Sequence, residues 1–195
     1  GGDTDLFLPA IDMVPSALSS ASDTEPFCVI LPSLPEKARI QLLAALGPYS
    51  TDGVRKAAEE AAGYGPEPVS IEALKVLAAC GSKESIPVLL QKAAVRGQVQ
   101  EAARFALNNM KGADIDKALV LHVIKSADPD IQVEALRAMG ERGAAIGIPI
   151  MLSRSRSADP AVRSTALRAL RELADPEHIP SLLDLLLEAK SDRDR

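Results

Sequence analysis

VRSTALRAL (162–170) has four earlier counterparts in the chain: IQVEALRAM (131–139), VQEAARFAL (99–107), VSIEALKVL (69–77) and ARIQLLAAL (38–46). Each opens on an apolar residue (Ala38, Val69, Val99, Ile131, Val162) and closes on Leu46, Leu77, Leu107, Met139 or Leu170. The fifth position is small or apolar throughout: Leu42, Ala73, Ala103, Ala135, Ala166. On a helix, positions one, five and nine fall on one face. The fifth positions are 31, 30, 32 and 31 residues apart. A fixed period of that size marks a solenoid, in which no unit buries its apolar face alone and each depends on its neighbours.

Composition agrees. The 195 residues are 47% hydrophobic, yet only 3% are aromatic and none is Trp. Much of the apolar content is Ala, which suits closely packed helices rather than a sandwich or barrel. The net charge of −5 argues against a nucleic-acid footprint, which needs a basic face. The acidity is concentrated in residues 1–98, with 8 Lys/Arg against 12 Asp/Glu. The surface this predicts is acidic and solvated. No apolar run reaches the 18 or so residues of a membrane span, so no membrane insertion is expected. Cys28 and Cys80 imply no disulfide framework and read as small buried apolar residues. The Gly1-Gly2 start, without Met, reads as processed or engineered. The compartment therefore stays open, cytoplasmic or exported with its signal removed.

Between the phrases lie first helices, opened by Ile86-Pro87, Ile148-Pro149 and Ile179-Pro180; Val54 and Ile115 hold the matching places without proline. Asp128-Pro129 and Asp159-Pro160 open two phrase helices, Asp capping and Pro at the first helical position. Pro35, Pro66 and Gly97 open the others. The spacing predicts helices at 35–46, 51–62, 67–79, 84–95, 98–110, 114–126, 129–141, 146–156, 160–173 and 177–189. Residues 1–34 are expected to form an N-terminal helical cap or degenerate repeat, with Asp23 or Thr24 capping a short helix through Leu31. The array proper is expected to run over 35–195 as five repeats.

DPDIQVEALRAMGERGAAIGIPIMLSRS (128–155) and DPAVRSTALRALRELADPEHIPSLLDLL (159–186) resemble short bacterial HEAT repeats. The shared elements are the Asp-Pro turn, the Val-Arg start, the Ala-Leu-x-Ala-Leu core and the Ile-Pro-x-Leu-Leu first helix. The likeness is looser in the first three repeats, where Val69-Ser70 and Val99-Gln100 replace Val-Arg. It implies an all-α, right-handed α-solenoid with a convex and a concave helix layer, the concave layer contacting a protein or peptide partner. It carries over no catalytic residue, because repeats of this kind define architecture.

The chemistry of enzymes built on such arrays is not matched. A metal-dependent hydroxylase would need paired His-Glu motifs, but His122 and His178 stand in different repeats and neither precedes Glu. His122 reads as a half-buried histidine and His178 as part of a solvent-facing first turn. No nucleophile arrangement or phosphate loop is present. The expectation is a non-enzymatic interaction scaffold with no catalytic residue, cofactor or metal. Two alternatives stay open: a regulatory or accessory segment of a larger enzyme, and a bilin-lyase-like or other catalytic repeat protein, for which no residue here is specific.

At 100° per residue, two columns of the phrase helices point most nearly away from their apolar face. One is Ile40, Ile71, Glu101, Val133 and Ser164; the other is Ala44, Lys75, Phe105, Arg137 and Arg168. Apolar side chains in an outward column need an explanation. Either neighbouring helices cover them, or Ile71, Phe105 and Val133, bordered by Lys75, Arg137 and Arg168, form a partner-binding stripe for an acidic–apolar segment.

Overall fold

The computed structural model describes residues 9–18 and 20–193, and its described residues contain helices, turns and no strand. The helices are α1 (Val14–Ala17), α2 (Glu25–Ile30), α3 (Glu36–Leu46), α4 (Asp52–Tyr64), α5 (Glu67–Cys80), α6 (Ile86–Ala93), α7 (Gln98–Asn109), α8 (Ala113–Lys125), α9 (Pro129–Glu141), α10 (Ile148–Arg154), α11 (Pro160–Leu173) and α12 (Ile179–Arg193). The five phrases are α3, α5, α7, α9 and α11. A 3-10 turn precedes each Ile-Pro helix, at Lys83–Ser85, Ala145–Gly147 and Pro176–His178. The α-helix proper then begins on Ile-Pro, where a residue without an amide proton fits only the first turn.

The chain divides into two compact units, 1–111 and 112–195. In the first, phrase helices α3, α5 and α7 lie side by side, while α2, α4 and α6 form a second layer. Across the layers α4 packs on α5 and α6 on α7: each first helix is covered by the phrase helix that follows it. α1 and the turn Leu31–Ser33 pack on α3. The second unit repeats the arrangement, with α9 beside α11, α8 covered by α9, and α10 covered by α11.

At the N-terminus the predicted helix is present but its cap is not the one expected. Thr24 precedes α2 without capping it; its hydroxyl donates to the Ala21 carbonyl at 2.7 Å instead. Asp23 belongs to a capping box with Ser20, whose amide donates to Asp23 at 2.8 Å. The residues before 9 lie outside the described part.

The phrase predicts the core. Ala73, Ala103, Ala135 and Ala166 are fully buried, as are the closing Leu46, Leu77, Leu107 and Met139. Successive phrase helices approach closely through small residues. A Cβ at Gly140 of α9 would lie 3.0 Å from the Ala169 Cβ of α11, and one at Gly47, which caps α3, would lie 3.5 Å from Val76 of α5. Gly47 and Gly140 hold the same phrase position, so the two units use one contact.

A second recurring device joins the layers. Ser70 Oγ donates to the Ala62 carbonyl at 2.8 Å, Gln100 Nε2 to Ala93 at 2.8 Å, Gln132 Nε2 to Ser126 at 2.7 Å and Arg163 Nη1 to Ser157 at 2.6 Å. All four donors occupy phrase position two, and all four acceptors lie at or just beyond the C-terminal end of the preceding first helix. Helix ends leave carbonyls without intrahelical partners, and a donor there also meets the negative end of the helix dipole. The first-helix layer has its own version: Lys92 Nζ reaches the Gly63 carbonyl at 3.0 Å, and Arg154 Nη2 reaches Val123 at 3.0 Å.

Two stability predictions follow from this packing. Ala135→Leu should destabilise the protein by about 1–3 kcal/mol in urea unfolding, because the extra atoms have no space at a fully buried site. Gln132→Ala, which leaves the Ser126 carbonyl without its side-chain donor, should cost about 1 kcal/mol in the same assay. An unchanged midpoint for either would remove that contact from the account.

Candidate protein-interaction surface

In the first unit the outward columns fall on α5 and α7. Phe105 is 56% exposed although its helix neighbours Ala103, Ala106 and Leu107 are buried. Helical geometry puts it there: Phe105 is two residues on from Ala103, about 200° around the helix. An aromatic ring in water is an unspent apolar surface. On α5, Lys75 is exposed and its Nζ lies 2.9 Å from Glu72 Oε2. Ile71 and the matching Ile40 of α3 are half-buried. Neighbouring helices therefore cover this column in part, while Phe105 stays open.

In the second unit Val133 is half-buried on α9. Arg137, expected as a bordering cation, is half-buried and held by two carboxylates: Nε lies 2.9 Å from Glu134 and Nη1 lies 2.6 Å from Glu141. These partners stand three residues before and four after it, the spacings that bring side chains together on a helix. Arg168 of α11 is exposed. Arg137 and Arg168 line, with Gly140, Glu141, Thr165, Ala169 and Glu172, an open cavity of about 380 Å³. It lies between α9 and α11, beside the close contact of Gly140 with Ala169.

The remaining reactive side chains are shielded. Cys28 and Cys80 are free thiols; burial, with a smaller contribution from the Glu25 carboxylate, raises the first, and burial pushes Cys80 up to about 11. Neither is an activated nucleophile at neutral pH. Burial, and then the neighbouring Lys125 charge, lowers the His122 pKa. His178 Nδ1 lies 2.7 Å from Asp175 Oδ1 inside the capping box of the turn before α12. Among the described residues no group of three or more His, Cys, Asp or Glu is placed to hold a metal ion, and no helix is long and apolar enough to cross a membrane.

The fold is thus that of a helical-repeat protein, two layers of antiparallel helix pairs in each unit. Residues 117–195 match the family model of HEAT repeats. No curated protein matches the chain. Among solved structures it is similar to a chain in the complex of CpcE and CpcF of phycocyanin lyase from Nostoc sp. PCC7120, at 22% identity and a TM-score of 0.45. That match covers 77% of this chain and 65% of the other, so the chain spans about two thirds of the length of that relative. An engineered protein is similar at 21% identity and a TM-score of 0.41, over 90% of this chain and 85% of the other. Likeness at this level transfers neither an activity nor a partner.

Two measurements check the surface and the thiols. Phe105→Ala should change stability by less than about 1 kcal/mol, as expected for an exposed side chain and not for a core aromatic. Iodoacetamide at pH 8 should label Cys80 far more slowly in the native protein than in guanidinium, because a thiol near 11 is almost wholly protonated there.

Proposed function

We propose that the protein is a non-enzymatic interaction scaffold whose phrase-helix layer binds a protein or peptide. The observation that carries this reading is the exposed Phe105 in the middle of a helix whose Ala103, Ala106 and Leu107 are buried. Aromatic anchors dominate the energetics of such interfaces, and surrounding contacts serve mainly to exclude water. Ile71 and Lys75 on the adjacent α5 supply an apolar shoulder and a cation, so the bound segment is amphipathic, apolar at its centre and acidic at its edge. In the second unit Arg168 gives the cavity between α9 and α11 a similar preference for a carboxylate, with Val133 on the same layer. Arg137, tied to Glu134 and Glu141, shapes that wall instead of contacting the partner as a free charge.

The test begins with a photo-crosslinking amino acid at position 105 in the host cell, followed by identification and purification of what it captures. Titration of that partner should then show Phe105→Ala weakening binding by about 2 kcal/mol, roughly 30-fold, with an unchanged melting temperature. Lys75→Glu should weaken it further. Equal affinity for wild type and Phe105→Ala would remove this surface from the function.

A further inference from the structure

Position two of the first phrase departs from the other four. Ser70, Gln100, Gln132 and Arg163 each donate to the end of a preceding helix. Arg39 of α3 holds the same position, yet its buried Nε has no hydrogen-bond partner, and no carboxylate among the described residues lies within ion-pair distance of its guanidinium. The reason is local. Helix α2 runs on into the 3-10 turn Leu31–Ser33, and the Ser33 hydroxyl donates to the Ile30 carbonyl at 2.7 Å. The carbonyl at the end of α2 therefore already has a side-chain donor. Arg39 instead lines a cleft of about 180 Å³ with Leu31 and Pro32 of the turn and Glu60, Ala61 and Tyr64 of α4. A guanidinium N–H buried without a partner has lost its hydration with no bond in exchange, a state that folded proteins seldom leave uncompensated.

We propose that this cleft is a binding subsite for one carboxylate side chain, carried by a peptide segment of a partner protein. Three observations select that occupant. Arg39 is the cation lining the cleft and is not neutralised, and the guanidinium fork matches a carboxylate through two parallel bonds. The volume of about 180 Å³ accommodates a side chain, whereas sites for drug-sized ligands and cofactors begin near ~300 Å³. The walls Leu31, Pro32 and Ala61 are apolar, so the carboxylate arrives on an aliphatic stem, glutamate before aspartate. At the rim Tyr64 is 92% exposed and offers its ring to the backbone that follows. Glu60, also exposed, repels a second acid and favours Lys or Arg beside the first. This subsite stands on α3 and α4, apart from Phe105 on α7, and does not rest on the reading of that surface.

The probe is a library of random heptapeptides displayed on phage. It is panned on the whole chain after depletion on the Arg39→Gln protein, and the survivors are resynthesised with a fluorophore for titration. They should carry Glu or Asp with a basic neighbour. Exchanging that acid for its amide in the peptide, or Arg39→Gln in the protein, should each weaken binding at least ~10-fold. The two changes together should cost no more than either alone, since they remove one contact. Phe105→Ala should leave these affinities unchanged, and Arg39→Gln should leave the melting temperature unchanged, because the guanidinium bonds nothing in the fold. An empty selection, survivors indifferent to loss of their acid, or survivors that require Phe105 overturn the assignment. A lowered melting temperature in Arg39→Gln also overturns it, since Arg39 would then have a structural partner.

Discussion

The first helices α4, α6, α8 and α10 are each completed by the phrase helix that follows, and the rest of the structure depends on that dependence. α6 illustrates the constraint: Ile86, Leu89, Leu90 and Ala93 cannot all turn inward on an isolated helix, and they become a core only under α7. Burying a side chain of that size is worth about 1.5–3 kcal/mol, far more than the surface ion pairs, which contribute less than about 1 kcal/mol each. Position-two donors then fix register. A helix sliding by one turn along its neighbour would keep most apolar contacts but lose the bond to the helix-end carbonyl.

The repeat was legible because one helical face repeats at a constant period, and helix bounds drawn from it agree with the structure to within two residues, except that α12 runs to Arg193 instead of 189. The 3-10 turns before them follow from proline at the second position, which fixes where α-helical bonding starts. The position-two device was not legible in the same way. Val69-Ser70, Val99-Gln100 and Val162-Arg163 read as one match and two departures when residue identity is compared. In the structure the Ser, Gln and Arg side chains do one job, since each places a donor against the preceding helix end. What recurs is a hydrogen-bonding capacity, and comparing letters does not detect it.

The outward columns were legible in direction and less so in degree. Opposition to the apolar face placed Phe105, Lys75 and Arg168 in solvent, as they are. Ile71 and Val133 point closer to the neighbouring helices and are half-covered, an effect of lateral packing that one helix's geometry omits. Arg137 looked like a free cation by position alone, whereas its spacing to Glu134 and Glu141 already contained the pairing that holds it. The exposure of Ile179, Leu183, Leu186 and Leu187 on α12 escaped the sequence reading altogether. The Ile-Pro-x-Leu-Leu opening of that helix matches helices whose apolar residues are buried, so exposure there becomes visible only once the covering helices of α6 and α10 are seen.

Amide hydrogen exchange under native conditions, resolved by helix, tests the dependence of each first helix on its cover most directly. α6 and α10, covered by α7 and α11, should exchange only through opening of their whole unit. α12, with as many apolar residues but no covering phrase helix among the described residues, should exchange on the order of 100-fold faster. Protection of α12 equal to that of α10 would contradict the account, since a first helix would then be stable without the phrase helix that completes it.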